Sequence, residues 1–409
     1  MSTEARPKPI RVLSAIGPGD VVSAFKDWTG GVRTLSETSI TYSSQEFEFF
    51  KRHHIAFWAI SSHPRRQTVI EGGNRIENRP RVTTQPVAGL AFHAVQLLYA
   101  LSLLVSAIRF RATHAIIDSG TTHWFALALF RLAGIDPYPD FHNVYWPVGH
   151  EPQGAVKRAI LRLDGLAFRH CVRAVLGVSP ECGRQAGLMS GGVMQFFDYR
   201  IQFENDDFSS LPRPELSLPM RIMFAGRVEE NKGVFDILTI CEMLSVRHPG
   251  WFTFDICGSG EASKALAAQI AARGLASSVT LHGKLIRPDL LKVYGRSHLV
   301  IVPTRSTFCE GLPAVCAEAV MAGRPVLTSR LSNAVDVLAG AVLEARGDDP
   351  ADYASKIEAL ADAPQRYADL VSGTAALRDQ FMNPAFGLTA ALERCLLGDA
   401  ASSTTRANA

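Results

Sequence analysis

The C-terminal half of the chain alternates short apolar runs with stretches of three- and four-residue periodicity. Ile222-Met223-Phe224-Ala225 reads as a strand that ends at Gly226-Arg227. Beyond Lys232-Gly233, the residues Val234, Ile237, Leu238, Cys241 and Leu244 recur at the spacing of one helix face. Phe252 to Cys257 is a second strand run, closed by Gly258-Ser259-Gly260-Glu261, and the helix after it stops at Arg273-Gly274, where glycine can cap its end. Further strand runs are Val279 to His282, Leu299 to Val302 and Pro325 to Thr328, with helices expected over Pro288 to Tyr294 and Pro313 to Ala322. Short apolar strands alternating with helices predict a parallel sheet covered on both faces. In such sheets ligands bind beyond the carboxyl ends of the strands, where each polar cluster just named lies.

The N-terminal half follows the same style with less contrast. Strands are expected at Ile10 to Ile16, Ile55 to Ile60, Ala115 to Ile117 and Ala174 to Val178. They end at Gly17-Pro18-Gly19-Asp20, at Asp118-Ser119-Gly120 and at Ser179-Pro180, and Gly30-Gly31 follows the first. With 409 residues the chain suits two domains. The expected division is an N-terminal domain over 1–201, a proline-bearing linker over 202–219, a C-terminal domain over 220–384, a last helix over 385–398 and a disordered tail over 399–409. Val87 to Ile108 carries no ionisable side chain except His93 and is followed by Arg109 and Arg111. Its length admits three readings: a membrane span, a membrane-surface helix or a core helix.

The net charge of +3 is too small for a nucleic-acid binder, but it hides an asymmetry. Residues 1–200 hold 22 Lys+Arg against 15 Asp+Glu, and residues 201–409 hold 20 against 24. A basic first half suits peripheral contact with an anionic membrane, and equally an ordinary solvated surface. The seven cysteines are scattered without zinc spacing and suit a reducing, cytoplasmic compartment. Met1 to Lys8 is polar, with no apolar core of a secretory signal.

The chemistry concentrates in Glu310-Gly311-Leu312-Pro313-Ala314-Val315-Cys316-Ala317-Glu318. Pro313 pre-sets a first helical turn, whose free N–H groups favour an anion. Glu310 stands just before that turn and Glu318 about 1.5 turns inside it. Ionised carboxylates accept hydrogen bonds from sugar hydroxyls. Two carboxylates flanking an anion-friendly helix start therefore suit a ligand with a sugar at each end and phosphate between. Arg227 and Lys232 can clamp phosphate oxygens.

The ordered set resembles the large retaining glycosyltransferase family of GT-B fold, the group 1 enzymes or glycosyltransferase family four. It comprises Gly226-Arg227 with Lys232-Gly233, Gly258-Ser259-Gly260-Glu261, Pro303-Thr304 before Glu310-Gly311-Leu312-Pro313, Glu318-Ala319, and Gly323-Arg324-Pro325-Val326. The resemblance covers Arg221 to about Leu397. It implies two Rossmann-like domains facing across a cleft, the first for the acceptor and the second for the donor, with the last helix packing back on the first domain. It implies that Glu310 holds hydroxyls of the donor sugar and Glu318 the ribose hydroxyls. Arg227 and Lys232 would neutralise the leaving diphosphate, assisted by the N–H groups of Gly311 and Leu312. In the N-terminal half Gly31, within Gly30-Gly31-Val32, resembles the family's glycine loop near the phosphates. His142, in Asp140-Phe141-His142-Asn143, resembles its histidine near the reacting sugar, with His123 as a rival. Where the family carries a proline-asparagine-glycine turn, this chain reads Phe196-Phe197-Asp198-Tyr199.

The expected activity is therefore retaining, metal-independent transfer of a sugar from a nucleotide-sugar to a carbohydrate or lipid-linked acceptor, in cell-surface polysaccharide or glycolipid synthesis. No metal and no bound cofactor are expected. The expected location is the cytoplasm, at the inner face of the plasma membrane. No assured carboxylate nucleophile is visible, so same-face substitution is expected rather than double displacement. A nucleotide-sugar epimerase or hydrolase and a non-catalytic scaffold in a polysaccharide assembly complex remain alternatives.

Overall fold

A computed structural model of the chain describes residues 9–32, 38–83, 87–203 and 207–398. The polar segment Met1 to Lys8 and the expected tail from Asp399 lie outside the described residues.

The N-terminal sheet contains β1 (Arg11–Ile16), β2 (Ala56–Ser61), β3 (Gln67–Glu71), β4 (Asn74–Asn78), β5 (His114–Asp118), β6 (Asp136–Phe141), β7 (Ala174–Gly177) and β8 (Gln195–Asp198). Their order is β3-β4-β2-β1-β5-β6-β7-β8, all parallel except the β3–β4 hairpin. Helices α1 (Val21–Gly30), α2 (Tyr42–Arg52), α3 (Gly89–Phe110), α4 (Leu127–Leu132), α5 (Ala155–His170) and α6 (Pro180–Ser190) connect the strands. Strand β6 is absent from the sequence expectation because Asp136-Pro137-Tyr138-Pro139-Asp140 carries two prolines, which remove ladder donors. It is tolerated because β6 pairs along nearly its whole length with β5 alone, and pairing with β7 begins only at Asp140.

The second sheet runs β11-β10-β9-β12-β13-β14 and is parallel throughout. Its strands are β9 (Met220–Ala225), β10 (Phe252–Cys257), β11 (Val279–Gly283), β12 (Leu299–Val302), β13 (Val326–Thr328) and β14 (Val342–Glu344). Helices α7 (Val234–Arg247), α8 (Ser263–Ala272), α9 (Arg287–Arg296), α10 (Ala314–Met321), α11 (Pro350–Ala361) and α12 (Pro364–Leu377) cover both faces. One buried cluster joins α7, α8 and α11 to the sheet through Ile237, Leu266 and Ile357. The other joins α9 and α10 through Val293, Cys316 and Val320. Pro313 stands one place before α10, as its cap, rather than inside its first turn.

After α13 (Asp379–Met382), α14 (Leu388–Leu392) returns to the N-terminal domain. Leu388, Ala391 and Leu392 enter the N-terminal core. Burying each leucine is worth roughly 1.5–3 kcal/mol. The backbone N–H of Leu388 and the hydroxyl of Thr389 donate to Gln45 on α2 at 2.8 and 2.9 Å. Helix α3 spans 22 residues and lies along the N-terminal domain, packed through Gln96, Tyr99, Ala100, Leu103, Ser106 and Ala107.

Candidate active site at the domain cleft

The parallel sheets dictate where loops converge. The segments after β9 and β12 supply Arg227, Lys232, Thr304 and Glu310 from one domain, and the end of β5 with the segments after β6 and β7 supplies Asp118, His142 and Val178 from the other. Lys232 precedes Gly233, whose φ of 74° and contact with the Pro303 carbonyl leave no room for a Cβ. That turn aims the lysine at Glu310, whose Oε2 accepts from Lys232 Nζ. Thr304 Oγ1 donates to the same oxygen at 3.4 Å, and the ammonium lies 4.1 Å from the centre of the Phe308 ring. Glu310 is 7% exposed, so the pair is held away from bulk water.

The main-chain carbonyl of Glu310 joins the domains. It accepts from Asn333 Nδ2 at 2.6 Å in its own domain and from the Val144 N–H at 3.2 Å in the other. Gly311 lies so near the opposite domain that an added Cβ would stand 1.8 Å from the His142 carbonyl oxygen and 2.8 Å from Val178 Cγ2. The N–H groups of Gly311 and Leu312 have no partner among the described residues. Nor has the amide oxygen of Asn333, which is buried. Arg227 is more open: it pairs with Glu229 at 2.6 Å and lies 5.8 Å from the centre of the Phe308 ring.

Glu318, to which the resemblance gives the ribose hydroxyls, is bonded to both domains in this structure. Its Oε2 accepts from the Tyr294 hydroxyl at 2.7 Å and its Oε1 from the Thr38 hydroxyl at 2.5 Å. Burial pushes the carboxyl up, while the bonds from Thr38 and Tyr294 and the charge of Arg287 oppose that rise. A ribose diol would reach Glu318 only by displacing Thr38. Gly31 has φ 63° and caps the end of α1. It lines a cavity of about 1140 Å³ between the domains with Trp28, Thr38, Gln45, Arg287 and Arg394. Glu310, Lys232 and Glu318 do not line that cavity, and Thr38, which donates to Glu318, does.

His142 is enclosed by its own domain. Its Nε2 lies 3.3 Å from Asp118 and 3.6 Å from Asp140, and its Nδ1 lies 3.4 Å from the Tyr199 hydroxyl. Tyr42 packs on the ring at 4.9 Å between centres. Burial alone would lower the imidazole, but the charges of Asp118, Asp140 and Glu46 raise it to about 10. Burial with neighbouring carboxylates raises Glu46 to about 8 and, although the His142 charge opposes it, Asp140 to about 6. Asp118, Asp140 and His142 bring ligand atoms within 4.8 Å of one another, a spacing that could hold a metal ion. The charges of Asp118 and Asp140 favour the protonated imidazole, which would have to give up its proton before it could ligate. His123 stands elsewhere, stacked on His93 at 5.0 Å with ring nitrogens 3.0 Å apart.

Sequence reasoning singled out neither Tyr42, Tyr199 nor Asn333. Tyr199 had a signal, since it closes the segment Phe196-Phe197-Asp198-Tyr199 that departs from the family turn. Its first three residues lie in β8, which delivers the tyrosine to donate to Asp140 Oδ1 at 2.7 Å.

The match to the model of the "Glycosyl transferases group 1" family spans residues 219–363. The chain is similar to a D-inositol 3-phosphate glycosyltransferase from an Arthrobacter strain, 31% identical over 368 residues that cover 83% of this chain and 82% of that protein. It is also similar to an amylovoran biosynthesis glycosyltransferase of Erwinia amylovora, 26% identical over 34% of this chain and 35% of that one. Among solved structures it resembles sucrose-phosphate synthase from Thermosynechococcus elongatus, with TM-score 0.66 and 13% identity over 98% of this chain and 100% of that one. It also resembles HepE of Anabaena in complex with UDP, with TM-score 0.60 and 14% identity over 96% and 100% of the two chains. At such identities the likeness of structure establishes the fold, which is GT-B.

Proposed function

The chain belongs to the group 1 glycosyltransferases of GT-B fold, and from that premise we propose that it moves a hexosyl residue from a nucleotide-sugar to a carbohydrate or lipid-linked acceptor, retaining the anomeric configuration and using no metal ion. The observation that carries the reading is the Lys232–Glu310 pair beside the unpartnered N–H groups of Gly311 and Leu312. In the donor complex the ammonium turns to the diphosphate and Glu310 is released to accept from sugar hydroxyls. Fixed positive groups, namely Lys232, Arg227 and the two N–H groups, then stabilise the charge that develops on the leaving oxygen.

The proposed step breaks the bond between the anomeric carbon and the diphosphate oxygen. The acceptor oxygen bonds to the same face of that carbon, and its proton passes to the departing phosphate. No carboxylate nucleophile is required. His142 is a charged neighbour whose main-chain carbonyl faces Gly311, and we assign it to the reacting side of the cleft. We assign Glu318 with Thr38 and Arg287 to the nucleoside end, where Thr38 and Arg287 line the cavity beside Gly31. The proposed role is in cell-surface polysaccharide or glycolipid synthesis, and a relative matched over 34% of this chain is named for amylovoran biosynthesis. The free cysteines and the basic N-terminal half support a cytoplasmic place at the inner face of the plasma membrane.

The test is proton NMR of the first-formed product, made from an α-linked nucleotide-sugar in buffer containing EDTA. The proposal requires an α-linked product at an undiminished rate. A β-linked product would overturn retention, and a rate abolished by EDTA and restored by magnesium would overturn metal independence.

A further inference from the structure

Helix α3 inverts the pattern of an ordinary surface helix. Gln96, Tyr99, Ala100, Leu103, Ser106 and Ala107 fill the arc that faces the domain. Leu90, Leu97, Leu98, Leu101, Val105 and Ile108 occupy the opposite arc, and they are 87, 36, 51, 46, 45 and 53% exposed. At about 100° per residue these six fall within roughly 100° of one another, where a soluble helix carries charged and polar side chains. The helix is apolar enough for a bilayer by composition, yet only 33% of its most apolar stretch is buried. The packed inner arc rules out a span while the domain is folded, and the bare outer arc is more than a core helix needs.

The border of this stripe is basic. A groove of about 740 Å³ between α3 and the β3–β4 hairpin is lined by Ile70, Leu101 and Val105 together with Arg75, Arg79 and Arg109, and by no carboxylate. Glu77 offsets Arg75 and Arg79. Arg109 and Arg111 are exposed at the helix end, with no ion pair among the described residues. Ile70, on the hairpin, is 71% exposed and extends the apolar surface. An apolar stripe with two arginines at one end that have no ion pair among the described residues complements a bilayer with anionic headgroups. A second copy of the chain fits less well. The stripe from Leu90 to Ile108 is roughly 27 Å long and about 10 Å wide, well short of the ~800 Å² per partner of a stable dimer.

We infer that the outer face of α3, with the tip of the β3–β4 hairpin, docks on an anionic lipid surface and lies in its plane. The inference rests on the membrane contact proposed above and names the surface that makes it. The geometry also gives the docking a use. The first turn of α3 abuts the loop after β5, where His93 meets His123, and the same loop carries Ser119, whose hydroxyl accepts from the His142 N–H at 3.1 Å. Docking along α3 therefore sets the cleft rim at the lipid headgroups, where a lipid-linked acceptor presents its hydroxyl.

The experiment is co-sedimentation of the full chain with phosphatidylglycerol–phosphatidylcholine vesicles and with pure phosphatidylcholine vesicles. Wild type is compared with L98D/L101D and with Arg109→Glu, with circular dichroism and molar mass measured alongside. We expect at least tenfold stronger binding to the anionic vesicles, lost at least tenfold in L98D/L101D and reduced several-fold in Arg109→Glu. If L98D/L101D does not fold, Leu90→Asp in the first turn carries the same expectation. Wild type that binds neither vesicle overturns the membrane reading and this face together. Anionic binding retained by the folded aspartate variants overturns the face alone. A wild-type dimer that these variants turn into monomers, without vesicle binding, assigns the stripe to a second copy and overturns the inference.

Discussion

Replacing Lys232 by alanine perturbs the cleft in two ways whose sizes follow from the structure. The ammonium lies within a site where the lysine side chain is 16% exposed and the Glu310 side chain 9%. Truncating one member of a hydrogen-bonded charge pair that is largely out of water costs ~2–5 kcal/mol, much of it from the charge left alone. In Lys232→Ala, Glu310 keeps only the long bond from Thr304, at 3.4 Å. The leaving diphosphate at the same time loses its nearest point charge. At 1.36 kcal/mol per factor of ten, kcat/KM should fall by roughly 30- to 5000-fold. Arg227 supplies an internal comparison, because its side chain is 60% exposed and already paired with Glu229. Its truncation should cost ~1 kcal/mol or less, about fivefold. The assay is nucleoside diphosphate release coupled to transfer, measured for wild type, Lys232→Ala and Arg227→Ala under subsaturating donor. If Lys232→Ala stays within threefold of wild type, or if Arg227→Ala is the more damaged, the assignment of the buried lysine as the principal cation is wrong.

Gly311→Ala inserts a methyl group against the His142 carbonyl, so the domains cannot meet as they do here. Overpacking of ~1–3 kcal/mol should fall on closure rather than on either core. kcat should drop about tenfold or more with the thermal midpoint nearly unchanged, and a midpoint lowered in step with kcat would contradict this. Alkaline pH should weaken the N-terminal domain through His142. Its imidazole is raised to about 10 in the fold from an ordinary value near 6.5. Stability from that charge is complete below about pH 6.5 and is lost as pH rises toward 10. Thermal midpoints recorded across that window should fall more steeply in wild type than in His142→Gln, and parallel curves would refute the charged state. Tyr199→Phe removes the donor to the buried Asp140. An unsatisfied buried acceptor costs ~1–3 kcal/mol, so the midpoint should fall by several degrees, and an unchanged melt would show that Tyr199 does not support this carboxylate.

The C-terminal half was legible because its strands are short apolar runs with glycine or proline at their ends. Phe252–Cys257 and Leu299–Val302 have the bounds that the pattern gives. The N-terminal sheet was harder for physical reasons. Its β3–β4 hairpin, Gln67–Glu71 and Asn74–Asn78, lies on the sheet edge and is half polar, so no apolar run marks it. Two prolines disguise β6. The Glu310 motif could be read from spacing because its residues are neighbours in sequence. The surroundings of His142 could not, because Tyr42, Asp118 and Tyr199 converge only when α2, β5 and β8 are assembled. The partners of Glu318 were equally hidden, since Thr38 and Tyr294, one from each domain, meet its oxygens only in the assembled fold.

The central claim is that Glu310 acts on the donor sugar, and turnover by Glu310→Ala tests it most directly. Transfer should be measured at saturating donor beside the binding of the free nucleoside diphosphate, which carries no sugar. The account predicts turnover at least a hundredfold below wild type, with nucleoside diphosphate still bound and the melt preserved. Near-normal turnover in the folded variant would contradict it.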